Sequence, residues 1–245
     1  MLTAKVLKRI FFVALFCLTI GLVSFGQVKK VLNYQIVDNK KIHFGFCVGL
    51  NAMDFSFERN SRSIRTGNGD SLYMDLYQLS PGFNVNIVSE LRINDAFALR
   101  FLPGLVFGQR NVFVTGVASD IQYGQVQVES NYLDFPLLVK YRGERLNNVR
   151  PYLIAGTSIR YDMAAKKENK LKLGKEQGET LRINLKPLDF YGEIGVGMDF
   201  YLVYFKLSTE LKLSVGMRDI LDRDLAATGL NQLTSHIVLL NFHFE

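Results

Sequence analysis

The chain has 245 residues, 48% of them hydrophobic, with a formal net charge of +6 and two cysteines, Cys17 and Cys47. That length points to a single domain. Three of the bases lie at the extreme N terminus, so from Gln27 onward the charge is near +3 (26 bases minus 23 acids), which excludes a nucleic-acid footprint.

In chain order, the first element reads as an export signal. Lys5, Lys8 and Arg9 form a positive start, Ile10 to Phe25 is an uncharged apolar stretch of 16 residues, and Ser24-Phe25-Gly26 is a small-x-small cleavage site. A spanning helix needs roughly 20 residues. A lipoprotein signal is also excluded, because Phe16 precedes Cys17 where a small residue is required. The organisation predicted is a signal peptide over 1–26 cleaved between Gly26 and Gln27, a periplasmic N-terminal tail over 27–40, and a barrel domain over 41–245. No later run of 18 apolar residues offers a transmembrane helix. With Cys17 removed, Cys47 has no disulfide partner and reads as a small buried filler.

Strands are predicted near 41–54, 77–93, 96–110, 126–142, 149–162, 186–200, 203–216 and 235–245. Each alternates two kinds of residue. Phe83, Val85, Ile87, Ser89 and Leu91 interleave with Gly82, Asn84, Asn86, Glu90 and Arg92; Leu133, Phe135, Leu137, Val139 and Tyr141 interleave with Asp134, Pro136 and Lys140. Successive side chains of a strand point to opposite faces, so each segment has one oily side and one wet or crowded side. Connections at Asn94-Asp95, Gly143 to Asn148 and Tyr201-Leu202 are short, whereas those at 55–76, 111–125, 163–185 and 217–234 are long and polar. Strict alternation of short and long predicts an all-β fold, an eight-stranded antiparallel up-and-down transmembrane β-barrel of the outer-membrane type, with tight turns on the periplasmic side.

The oily side carries no Asp, Glu, Lys or Arg, as expected where a charge at the membrane midplane costs roughly 2–4 kcal/mol. The other side carries Glu90, Asp134, Asp162, Asp189, Glu193, Asp199 and Glu210 against Arg92, Arg100, Lys140, Arg142, Arg150, Arg160, Lys206 and Lys212. Eight strands leave room only for side chains inside, so the near balance predicts a lumen plugged by ion pairs. A soluble lipocalin-type barrel alternates too, with the apolar face inward. Glycine separates the two, because Gly45, Gly49, Gly82, Gly104, Gly108, Gly156, Gly195, Gly197 and Gly216 all fall on the polar side. A solvated face gains nothing from residues that weaken strands, while a crowded lumen does. Phe97, Tyr141, Phe200, Phe205, Phe242 and Phe244 at strand ends fit interfacial girdles. Pro103 and Pro136 each delete a ladder hydrogen bond in a fold without edges, and a bulge is expected at each.

Candidate chemistry is sparse. His43, His236 and His243 lie on the first and last strands with no ligand-spaced Cys or carboxylate cluster, so no metal is expected. A lipid A-modifying enzyme would need a Ser-His-acid grouping at the outer rim. His43 and His243 fall at the periplasmic end, and Ser235 and His236, adjacent in one strand, point to opposite faces. Gly192-x-x-Gly195-x-Gly197 lies inside a strand and binds no phosphate, and Gly67-Asn68-Gly69-Asp70 offers calcium a single carboxylate. No catalytic residue and no cofactor are expected. Lys166, Lys167, Lys170, Lys172 and Lys175 form a basic loop, by default solvated, that is a candidate contact for lipopolysaccharide phosphates.

The string YLDFPLLVKY, with Tyr132, Leu133, Asp134, Pro136, Lys140 and Tyr141, resembles the signature of the Bacteroidetes small outer-membrane barrel family named after PorT. In that family an aromatic, a Leu, an acid and a Pro precede an aliphatic run ending in Lys-Tyr; the usual acid is Glu, and Asp134 stands there instead. RPYLIAGTSIRYD, which holds Arg150, Pro151, Tyr152 and Gly156, resembles the family's next strand, GEIGVGMDF its Gly-rich sixth strand and NFHFE its C-terminal strand. The resemblance implies an outer-membrane component of the type IX protein secretion system, which exports proteins with C-terminal signals. It would work through contacts with other secretion-system proteins and the membrane lipid, with no small-molecule substrate. A generic structural or adhesive barrel outside secretion and a lipid A-modifying enzyme are the alternatives.

Overall fold

The computed structural model describes residues 33, 40–59, 64–65, 71–75, 80–116, 122–165, 169–172, 180–183, 186–220 and 230–245. The chain divides into two units at Leu32–Asn33, and the second carries the barrel. The described strands are β1 (Ile42–Arg59), β2 (Ile64–Arg65), β3 (Ser71–Asp75), β4 (Ser80–Arg92), β5 (Phe97–Phe101), β6 (Gly104–Gly116), β7 (Gln122–Arg142), β8 (Val149–Asp162), β9 (Asn169–Lys172), β10 (Thr180–Ile183), β11 (Leu188–Tyr201), β12 (Lys206–Gly216) and β13 (Leu230–Phe244). β5 and β6 are two halves of one barrel strand. The wall runs β1, β4, β5 with β6, β7, β8, β11, β12, β13, each pairing antiparallel with the next, and β13 pairs back with β1, so eight strands close into a barrel. The signal peptide over 1–26, with Gly26 and Gln27, lies outside the described residues, as does most of the tail.

Among the residues whose burial is described, the predicted faces hold in the eight barrel strands. In β1, Ile42, Phe44, Phe46, Val48 and Leu50 are exposed while His43, Cys47, Asn51 and Met53 are buried; in β12, Leu211, Leu213 and Val215 are exposed while Lys206, Glu210 and Lys212 are buried. An apolar exterior around a polar interior inverts the soluble pattern, as hydrocarbon on the outside requires. From Ile42 to Ala52 the exterior of β1 is uncharged; ten residues rise about 33 Å along the strand, and at a tilt of about 40° that is about 25 Å of membrane. Exposed Asp54, Glu129 and Arg218 mark the far limit of the band, and Lys40, Lys41, Asp95 and Glu144 the near one.

Two expectations are corrected. Neither proline sits in a bulge. The pairing across Leu102-Pro103 keeps the same register on both sides, with Phe101 opposite Leu137 and Gly104 opposite Asp134, and Ser89 opposite Phe101 and Asn86 opposite Gly104. Pro136 pairs in register with Ser158. Each proline keeps the acceptor half of its pair, since the Leu102 N–H donates to the Pro136 carbonyl (3.2 Å) and the Ile87 N–H to the Pro103 carbonyl (2.9 Å). Only the donor half is missing, and because Leu102 faces Pro136, the two defects adjoin instead of weakening the wall at separate places. Secondly, the expected loop at 111–125 is mostly strand, because β6 runs to Gly116 and β7 starts at Gln122. The connection at 55–76 also holds regular structure: β3 joins the free side of β6, and β2 joins β3. The long-loop end therefore projects as sheet beyond the membrane band.

The short turns follow local chemistry. Asn94 accepts the N–H groups of Ala96 (2.9 Å) and Phe97 (2.6 Å) on its side-chain oxygen, an Asx turn between β4 and β5. Between β7 and β8, Asn147 takes φ 54°, a left-handed conformation that Asn tolerates. Between β11 and β12, the Leu202 N–H donates to the Phe205 carbonyl (3.0 Å).

Candidate functional site

The lumen concentrates the polar chemistry. Toward the short turns, Arg100 donates to Glu90 (2.5 Å), Glu245 (3.0 Å) and Glu210 (3.3 Å); Lys140 bridges Asp199 (2.8 Å) and Glu90 (3.6 Å), and Lys206 holds Glu245 (2.5 Å). His243 lies 3.3 Å from Glu210, and the Tyr152 hydroxyl donates to the same carboxylate (3.0 Å). Midway up, Arg160 joins Asp134 (2.9 Å) to Glu193 (2.6 Å), with Lys212 on Glu193 (2.8 Å). Toward the long loops, Arg110 donates to Ser130 (2.9 Å), Tyr132 (2.9 Å) and Ser235 (2.7 Å). Tyrosine rings lie beneath the cations: Lys140 is 3.9 Å from the Tyr152 centroid and Arg160 is 4.1 Å from that of Tyr191. Between these groups an asparagine chain runs from Asn84 to Asn86 (2.9 Å) and Asn241 (3.0 Å).

Charges with side-chain partners from several strands fill the bore, which is what makes burial of so many ions tolerable. Glycine supplies the remaining space. A Cβ at Gly197 would lie 2.3 Å from Cζ of Tyr152, and one at Gly156 would lie 2.2 Å from the Leu137 carbonyl oxygen. Among the described residues, the inward charges are buried against one another across the lumen.

The family-motif residues take up structural posts in this lumen. Asp134, Lys140, Tyr132 and Tyr152 are buried partners in it, Pro136 faces inward, and Gly156 leaves room for its neighbours. Leu133 and Pro151 lie on the lipid side, and Tyr141 packs against Phe97 there with ring centroids 5.2 Å apart. Arg150 lies 5.9 Å from the Tyr201 ring at the short-turn mouth. Among the basic-loop residues, Lys170 and Lys172 belong to β9, which pairs with β10 in a separate hairpin; Lys166, Lys167 and Lys175 lie outside the described residues. His43 and His243 are buried inward, Ser235 is buried inward, and His236 sits on the lipid side with Asp54 opposite it across the ladder. No grouping of three or more metal-ligating side chains occurs among the described residues.

Two lumen charges were missed from sequence, Arg110 and Glu245. Both continue the inward parity of their strands, Arg110 after Gly108 and Glu245 after His243, so extending the alternation by one step at each end finds them. Also missed was the short-turn mouth. There the Asn33 N–H donates to the side-chain oxygen of Asn148 (2.9 Å), and Arg145 donates to the Asn33 carbonyl (2.6 Å), to Asn148 (3.0 Å) and to the Asn147 carbonyl (2.8 Å) while lying 3.8 Å from the Tyr201 ring centroid.

Among curated proteins no sequence matches the chain. Solved structures similar to it include Neisserial surface protein A (13% identity over 83% of this chain and 98% of that one, TM-score 0.43). Another is the outer membrane protein OprG from Pseudomonas aeruginosa (15% identity, 82% and 94%, TM-score 0.48). A third is Ail, the attachment invasion locus protein of Yersinia pestis, solved with the heparin analogue sucrose octasulfate (12% identity, 84% and 99%, TM-score 0.39). The outer membrane protein beta-barrel domain family matches residues 25–222, most of the chain. With that match, the closed eight-stranded wall and the apolar exterior in place, the chain belongs to the outer membrane protein beta-barrel domain family and resides in the outer membrane.

Proposed function

We propose that this protein is a non-enzymatic outer-membrane component of the type IX protein secretion system, needed for export of proteins with C-terminal secretion signals and acting through protein contacts. The observation that supports action by contact is the filled lumen: Arg100, Lys140 and Arg160 are fully buried between carboxylates of neighbouring and facing strands, leaving the barrel's two ends to do the work. The export role rests on the resemblance of YLDFPLLVKY and the three companion strings to the family named after PorT. The short turns and the tail face the periplasm by the usual orientation of outer-membrane barrels, where the other secretion-system proteins would meet them.

The test is secretion of C-terminally signalled cargo in a clean deletion strain, with and without the complementing gene. Export should stop on deletion and return on complementation; normal export in the deletion strain refutes the reading. A generic adhesive barrel is the second reading, favoured by the sheet of β2, β3, β6 and β7 that projects beyond the membrane. Under that reading, replacing the residues between β1 and β4 abolishes surface adhesion and leaves export intact.

A further inference from the structure

We propose that the β7–β8 turn and the end of β11 form a main-chain clamp whose occupant is the chain's own N-terminal segment, pinned at Asn33. Three observations carry this. First, both backbone groups of Asn33 are engaged, the N–H by Asn148 and the carbonyl by Arg145. Secondly, the guanidinium has holders besides Asn33: it lies over Tyr201 and donates to the carbonyl of Asn147, whose left-handed backbone shapes the turn. A planar donor held by stacking loses little freedom on binding a carbonyl. Thirdly, the clamp lies on the wall facing the place where the tail joins the barrel. Lys41 leads into β1 and its carbonyl accepts the Arg92 N–H of β4, whereas Asn148 and Tyr201 belong to the β8 and β11 side, about half the strand circuit away.

Because recognition is through the backbone, the side chain at 33 is secondary; its Nδ2 makes only a 3.4 Å bond to the Tyr201 carbonyl. The clamp therefore fits an extended peptide of almost any sequence except one with proline at the pinned position, which has no N–H to give. Its effect is to hold Asn33 at the short-turn mouth, next to Tyr201 and the exposed Leu202, Val203 and Tyr204 of the β11–β12 turn. This inference does not depend on the export role.

The test is pulsed electron–electron spin resonance on the full chain in lipid nanodiscs, with Cys17→Ser and buried Cys47 left unlabelled. Spin labels go at Tyr34→Cys paired with Val203→Cys, and at Tyr34→Cys paired with Asp95→Cys. Eight strands about 4.8 Å apart and tilted about 40° make a wall about 16 Å across. A narrow, short distance to position 203 and a narrow, longer one to position 95 are expected. Asn33→Ala should preserve both distributions, and Asn33→Pro and Arg145→Ala should each broaden them in protein that still shows folded gel mobility. A broad distribution in the parent chain, or one unchanged by both Asn33→Pro and Arg145→Ala, overturns the clamp. Loss of the clamp with export intact, or the reverse, separates this inference from the proposed function.

Discussion

Replacing Arg160 by Leu probes the central assertion that the lumen is held by compensated charge. The guanidinium is fully buried and donates to Asp134 (2.9 Å), Glu193 (2.6 Å) and Ser214 (2.9 Å). Leucine removes the cation and leaves the Asp134 carboxylate buried with the Ser158 hydroxyl donating to it. Breaking a buried pair from one side costs about 3–5 kcal/mol. Glu193 retains Lys212 and Ser214, which places the expected loss near the lower end, about 3 kcal/mol, or roughly two powers of ten in the folding equilibrium. Adding Asp134→Leu removes the stranded anion, so the double variant should return to within about 1 kcal/mol of the parent. Urea titration of vesicle-inserted protein, followed by circular dichroism and by the mobility difference between boiled and unboiled gel samples, measures both. A single-variant loss below about 1 kcal/mol, or a double variant worse than the single, refutes the reasoning.

Other outcomes follow from the wall and its faces. Val196→Arg puts a cation on the lipid side of β11 and should cost about 2–4 kcal/mol in the same titration, whereas Arg at exposed Tyr204 in the short turn should leave the midpoint unchanged. Pro136→Val restores a donor opposite the Leu102 carbonyl without changing register, and a gain of about 0.5–1.5 kcal/mol is expected; a loss would mean the proline ring is needed where it packs. Gly156→Ala drives a methyl group into the backbone of β7 and should cost about 1–3 kcal/mol. In planar bilayers the purified protein should pass no steady current, and stepwise openings would contradict a plugged bore.

Strand number, faces and the charge content of the interior were legible because two rules act on every residue: side chains alternate, and hydrocarbon rejects ions. The pairing of those ions was not, since Lys140 and Asp199 lie 59 positions apart and meet only through barrel curvature. The prolines misled because a missing N–H was expected to force an extra residue into the strand, whereas adjacent placement lets one in-register gap absorb both. The outer hairpin was misread as loop because its polar, Gly-containing sequence carries turn residues while its backbone still finds partners in β3 and β7. The Asn33 contact left no periodic trace at all, since it depends on the shape of a distant turn.

The interior ion pairs also constrain how such a wall can be built. Arg160 on β8 has partners on β7, β11 and β12, and Arg100 on β5 reaches β4, β12 and Glu245. The β7–β8 hairpin delivered alone into acyl chains would keep Arg160 beside Asp134 but present the Lys140 ammonium to oil, with its carboxylates Glu90 and Asp199 still on undelivered β4 and β11. Stepwise insertion is therefore uphill until the circle closes, and a nascent sheet of this sequence needs either a hydrated shelter or near-simultaneous arrival of its strands.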